Sequence, residues 1–224
     1  MKIKTNHLIT RMAVAAAVIF SVSSCSKDDN DNMMNAKLSF VNTVEGSAAQ
    51  DIFINDSKVS TSAVAYGSSS NEISTSAGDK TISFKDANSA TVTAVAEVNT
   101  DVNSSHTAFL VKQANGSMGI SLYANDNTSA SGKAKVRFIN VIPMLSSTIN
   151  VTTSAGTNLI SALAFKAASA YQTIDANTSM NVMMTGSLEV TTIAGSELQA
   201  GKIYTIWFDS STTTKAKYHI VVHN

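Results

Sequence analysis

The sequence predicts an all-β chain: two tandem sandwich-type units behind a removable leader and a short tether. Three observations predict it. One unit recurs along the chain at an offset within a residue of 98, short apolar-alternating runs fill both copies, and a basic–apolar start ends at Cys25, the only cysteine. An internal repeat of this kind fixes domain organisation before any strand is assigned.

The leader comes first. Lys2, Lys4 and Arg11 make it basic and residues 12–20 are apolar, about half the length a membrane-spanning helix needs. Val22-Ser23-Ser24-Cys25 resembles a bacterial lipobox, which implies cleavage before Cys25 and acylation of its new amino terminus. Ser26, Lys27, Asp28 and Asp29 follow and resemble the lipoprotein export signal of Bacteroidota, which directs lipoproteins to the outer face of the outer membrane. Residues 28–32 also touch on a calcium loop, but Met33 and Met34 stand where its glycine and later ligands belong. The tract reads as export signal and acidic tether over 25–35. Two or three acyl chains hold a protein on a membrane stably where one does not.

Removing residues 1–24 takes three of 16 basic residues and no acid, leaving 13 against 16 acids and a net charge of −3. No basic cluster remains, which excludes nucleic acid as a partner. Charged residues are 14% of the chain, while apolar residues reach 44% and alternate at strand spacing. The surface is therefore uncharged and polar rather than disordered.

The repeat places units at 36–125 and 134–224, joined by 126–133. Ala36-Lys37-Leu38-Ser39-Phe40-Val41-Asn42 returns as Ala134-Lys135-Val136-Arg137-Phe138-Ile139-Asn140. Val64-Ala65-Tyr66 returns as Leu163-Ala164-Phe165, and His106-Thr107-Ala108-Phe109-Leu110 as Tyr204-Thr205-Ile206-Trp207-Phe208. Apolar alternation between Gly, Asn, Asp and Ser clusters is the signature of a sandwich or barrel. It predicts strands at 36–42, 50–55, 62–66, 71–75, 80–84, 91–98, 105–112 and 117–124 in the first unit. In the second they fall at 134–141, 148–153, 159–165, 170–174, 179–184, 187–193, 202–209 and 215–222. Residues 159–170 are alanine-rich, yet their counterpart 62–70 is a poor helix former, so the repeat favours strand and loop. Residues 203–208 are apolar on both faces, which predicts a central strand. Ala200-Gly201-Lys202-Ile203-Tyr204 is similar to the turn entering a late sandwich strand, where a tyrosine hydroxyl bonds back to backbone. His106 holds that position in the first unit, which gives it a structural role.

The Phe-x-Asn opening strands, Ala65-Tyr66-Gly67 and the Ala200–Thr205 turn together resemble the bacterial family known as domain of unknown function 4397. The resemblance spans both units and is firmer in the second. The first departs from it with Ser39 in place of the arginine, and with Ser104-Ser105-His106 in place of the turn. It implies an immunoglobulin-like antiparallel β-sandwich, secreted or lipid-anchored and often in tandem. It implies no activity.

Catalytic patterns are missing. Gly195 to Lys202 is one residue too long for a phosphate loop and carries Ile203 where Ser or Thr is required. His219 and His223 lie four residues apart on one strand, about 13 Å, too far to share a metal. No nucleophile elbow appears, and five glutamates scattered over two units form no evident acid pair. The expectation is no enzyme, no cofactor and no metal. Trp207 belongs in the space between sheets rather than on a sugar-binding platform. Tyr66, Tyr171 and Tyr218 are the candidate ligand contacts. Arg137, the only arginine after the leader, lies inside a strand, so cleavage there would destroy a unit rather than release a donor-strand subunit. The sequence thus predicts a non-catalytic lipoprotein of the outer membrane facing the exterior. Its role is binding, adhesion or envelope structure, with a glycan or protein partner. The alternative is an accessory glycan-binding lipoprotein of a polysaccharide uptake system.

Overall fold

The computed structural model describes residues 35–144 and 146–223. Cys25 and the tract of Ser26, Lys27, Asp28 and Asp29 lie outside the described residues. In the first half the strands are β1 (Asn35–Asn42), β2 (Gln50–Ile54), β3 (Ser57–Lys58), β4 (Ile73–Ser76), β5 (Gly78–Asp86), β6 (Val92–Thr100), β7 (Ser105–Lys112) and β8 (Met118–Ala124). In the second they are β9 (Lys133–Asn140), β10 (Ile149–Thr153), β11 (Asn158–Leu163), β12 (Gln172–Asp175), β13 (Met180–Met184), β14 (Val190–Ile193), β15 (Ile203–Asp209) and β16 (Lys217–Val222). Among the described residues a 3₁₀ turn, Gly195–Glu197, lies between β14 and β15.

The strands form four four-stranded sheets, in two sandwiches of the same order. The orders are β4-β1-β7-β8 over β3-β2-β5-β6, and β12-β9-β15-β16 over β11-β10-β13-β14. Lettered A to H, each sandwich is DAGH over CBEF, whereas constant-type immunoglobulin domains run ABED over CFG. The first strand therefore lies beside the seventh in parallel, Phe40 opposite Ala108 and Phe138 opposite Ile206, within otherwise antiparallel sheets. Period-two alternation sends Leu38, Phe40, Ala108 and Leu110 into the first core against Ile52, Ile82 and Phe84. Val136, Phe138, Ile206 and Phe208 do the same in the second, with Phe138 and Phe208 stacked at 6.1 Å. Burying one such side chain contributes about 1.5–3 kcal/mol.

Two strands differ from expectation. Residues 62–66 are not a strand, because Asn55 and Asp56 both take positive φ (48° and 61°) and close a two-residue hairpin. The third strand then follows at once as β3, and Val64 and Tyr66 keep only isolated bridges to Gln50 and Asn42. The sixth strand of the second sandwich starts at Val190, not 187. Gly186 (φ +82°) turns the chain and leaves Leu188 on the loop, 98% exposed.

The asparagine of each opening strand has a structural task. Buried Asn42 donates to Ser47 and Val64 and accepts from the Val44 amide, fastening the loop that leaves β1. Asn140 repeats this with Leu163 and Ile142. The Tyr204 hydroxyl accepts from the Gln199 amide at 2.8 Å, holding the turn before β15.

Candidate functional site

β15 lies between β9 and β16, a central strand. Its even-numbered residues fill its own core; its odd-numbered residues, with those of β9 and β16, face the β1-β7-β8 sheet of the other sandwich. Val41, Phe109 and Val111 meet Ile139, Val141, Trp207 and Val221 in a third buried cluster. Residues 98 apart enter this cluster from the two sandwiches: Val41 and Ile139, and Phe109 and Trp207. The seam is thus built as a symmetric dimer interface would be, but within one chain. Trp207 is buried as expected, yet it fills the space between sandwiches rather than between the sheets of its own. Phe109 stands edge-on to it at 6.5 Å, and the His219 ring stacks on it at 3.9 Å.

Polar assemblies close the seam at both ends, because Thr205 and Asp209 flank Trp207 on the same face. At the Asp209 end the Tyr66 hydroxyl donates to Asp209 Oδ2 at 2.5 Å, and His219 Nε2 lies 3.3 Å from Asp209 Oδ1. Lys217 bonds to Glu45 at 2.8 Å. Gly67 (φ +79°) lets the chain pass His219, whose Nδ1 would sit 3.1 Å from a Cβ there. Burial and the bond to Asp209 push the Tyr66 phenol up to about 12. Burial works against the charge of Lys217, but Glu45, Tyr66 and Asp209 more than offset it and raise its pKa. These bonds tie Tyr66 and Glu45 of the first sandwich to Asp209 and Lys217 of the second, so this end clasps the two sandwiches together.

At the other end six side chains form one hydrogen-bonded chain across the seam. Ser39 meets Thr107 (2.9 Å), Thr107 donates to Asn125 Oδ1 (3.1 Å), and Arg137 Nη2 donates to the same oxygen (2.7 Å). Arg137 Nε then donates to Thr205 (2.8 Å), which bonds His223 Nε2 (2.6 Å). Arg137 Nη1 also donates to the Ala124 carbonyl. Ser39, Thr107 and Asn125 are the 98-residue counterparts of Arg137, Thr205 and His223. Both ends of the chain, Ser39 and His223, line a cleft of about 550 Å³ with Lys37, Glu72, Asn127 and Val221. Burial, with Arg137 beside it, pushes the His223 imidazole down to about 4. Burial also lowers the Arg137 pKa, against the neighbouring Tyr171 and Tyr123.

The three sequence-selected tyrosines are not brought together. Tyr66 is in the Asp209 clasp. The Tyr171 ring lies 4.9 Å from the Arg137 guanidinium, and its hydroxyl is buried without a partner among the described residues. Tyr218 donates to Glu197 at 2.6 Å, and that bond, then burial, pushes it up to about 12. It borders a separate depression of about 420 Å³ with Thr191 and Ala216. His219 and His223 go to opposite ends of the seam. No group of three or more His, Cys, Asp or Glu among the described residues could hold a metal. Asp209, Arg137, Thr205 and the two histidines escaped selection as site residues. The signal that could have found them is the apolar outer face of 203–208, since a strand of a two-layer sandwich is otherwise wet on that side.

A family model described as "Domain of unknown function (DUF4397)" matches residues 36–147, half of the chain. It falls on the first unit and the opening strand of the second, rather than on the second unit where the motifs are fuller. Among solved structures the chain is similar to CBMbc, a family CBM26 module from Eubacterium rectale Amy13K crystallised with maltoheptaose. Identity is 11% over 85% of this chain and 98% of that one, with a TM-score of 0.27. Overlap that loose carries no argument about fold or ligand. No curated protein matches the chain.

Proposed function

The chain belongs to the DUF4397 family, and we propose that it is a non-catalytic binding module of the outer membrane. In this reading two copies of the family unit are held outside the cell by acylated Cys25 and the tether. The supporting observation is where the reactive side chains go. Tyr66, Asp209, His219 and Lys217 converge, and that convergence is spent joining the two sandwiches. What the joining leaves open is a cleft lined by hydroxyls, amides and one ion pair. Such a lining suits weak, hydrogen-bonded recognition, strengthened by display of many copies on one surface. The cleft also favours the accessory glycan-binding role over purely structural packing, because a structural seam has no need of an open pocket.

Titration of the full chain with a panel of neutral and acidic glycans, alongside a turnover assay on each, tests the reading. Saturable binding without turnover supports it. Turnover that disappears on changing a single acid would overturn it.

A further inference from the structure

We propose that the cleft at the Arg137 end of the seam takes a carboxylate-bearing sugar, its carboxylate seated between Ser39 and His223. The inference rests on the non-catalytic binding reading and names the ligand class.

Arg137 carries the argument. It is 3% exposed, and its hydrogen bonds all go to neutral acceptors: the Ala124 carbonyl, Asn125 Oδ1 and Thr205 Oγ1. Tyr171 and Tyr123 offer it ring faces at 4.9 and 5.9 Å, not a carboxylate. A guanidinium taken out of water without an anion is costly, and buried charges are ordinarily paired. The fold does not demand this cost. In the symmetry-related position Ser39, with Thr107 and Asn125, makes the equivalent contacts with uncharged groups. The weld could have been neutral on both sides; a cation stands on one.

The geometry delivers that charge to the cleft. Arg137 sits in the middle of the hydrogen-bonded chain whose two ends, Ser39 and His223, both line the opening. The other charges nearby cancel. Lys37 and Glu72 pair at 2.7 Å, and Asp126 is taken by Lys135 at 2.6 Å. That leaves the Arg137 guanidinium, linked to His223 through Thr205, as the charge without a counterion beside the cleft, and a potential of one sign selects the opposite sign. At about 550 Å³ the cleft has the volume of a small-ligand site. Ser70, Asn71 and Asn127 line it with donors and acceptors for hydroxyls, and the exposed Val222 supplies an apolar contact for a ring face. An anion with many hydroxyls satisfies all of these features. A bare inorganic anion leaves the amides unused, and a neutral sugar leaves the guanidinium unanswered.

The imidazole of His223 is the reporter. Thr205, Arg137, Lys37 and Glu72 are the polar and charged groups around it, and an anion seated beside it favours its protonated form. The experiment titrates the full chain with D-glucuronate and, separately, D-glucose at neutral pH and low salt, following the His223 signals by NMR. Glucuronate is expected to shift them saturably and, in a parallel pH series, to move the imidazole midpoint upward from about 4, while glucose at equal concentration does neither. Ser39→Ala and Asn127→Ala should each weaken glucuronate binding several-fold, and Arg137→Met should abolish it. Should Arg137→Met not fold, the two cleft variants decide alone. Equal responses to both sugars, no saturable shift, or shifts unaffected by Ser39→Ala and Asn127→Ala would overturn the inference. Binding of other glycans without a His223 response sinks this site but spares the binding role, whereas turnover of glucuronate-containing chains sinks that role as well.

Discussion

Replacing Phe109 by alanine distinguishes two places in which Trp207 could be buried. If Trp207 filled the space between the sheets of its own sandwich, a change in the other sandwich would leave its surroundings alone. In the seam, Phe109 is fully buried and presents its edge to Trp207 at 6.5 Å and to Tyr123 at 5.3 Å. Removing a buried phenylalanine ring costs about 3–5 kcal/mol, and two edge-to-face contacts place this one in the upper half of that range. With a urea m-value of about 2 kcal/mol/M, a loss of about 4 kcal/mol lowers the midpoint by about 2 M. Trp207 is the only tryptophan, so its emission reports the seam directly. Equilibrium unfolding followed by that emission and by far-ultraviolet dichroism should give coincident transitions for the native chain. For Phe109→Ala the emission should already be red-shifted without denaturant and should change before the dichroism does. A variant that loses less than about 1 kcal/mol, with native emission retained, would refute the seam.

Four further outcomes follow from the same contacts. His223 titrates near 4 in the fold against about 6.5 in the unfolded chain, so the unfolded chain takes up the proton first as pH falls. Stability should decline between pH 6.5 and 4 by up to about 3 kcal/mol, less what solvent screening removes, and His223→Gln should flatten that window in a pH series of urea midpoints. Gly67→Ala forces a left-handed backbone and crowds His219, and should cost about 1–2 kcal/mol with faster acrylamide quenching of Trp207. Asn140→Ala leaves the Ile142 amide and the Leu163 carbonyl buried without that partner, and thermal unfolding should register a loss of about 1–3 kcal/mol. Tyr66→Phe withdraws one donor from the nearly buried Asp209 carboxylate, and a loss of about 1.5–3 kcal/mol should appear in the same measurement.

Much of the fold was legible because strand alternation is a local signal. The runs around Phe40 and Phe138 carry an apolar residue at every second position, those around Phe109 and Trp207 are apolar on both faces, and the turn before Tyr204 carries its own punctuation. The missed hairpin at Asn55 and Asp56 lacks the glycine that usually marks such turns, so the third strand was sought several residues too late. The seam was half legible. Both faces of 203–208 read as apolar, and a central position explained only the inner face. The outer face required a third layer, which the matching apolar positions Val41, Phe109 and Val111 on the other copy could have supplied. The cleft was not legible at all. Lys37, Glu72, Asn127 and His223 are spread over most of the chain, and only the folding of one sandwich onto the other makes them neighbours.

The most direct test of the proposed role is protease shaving of intact cells that make the native protein or a Lys27→Ala, Asp28→Ala, Asp29→Ala variant. Outward display predicts digestion of the native protein and protection of the variant. Protection of both would place the sandwiches on the periplasmic side and contradict a module that meets its ligand outside the cell.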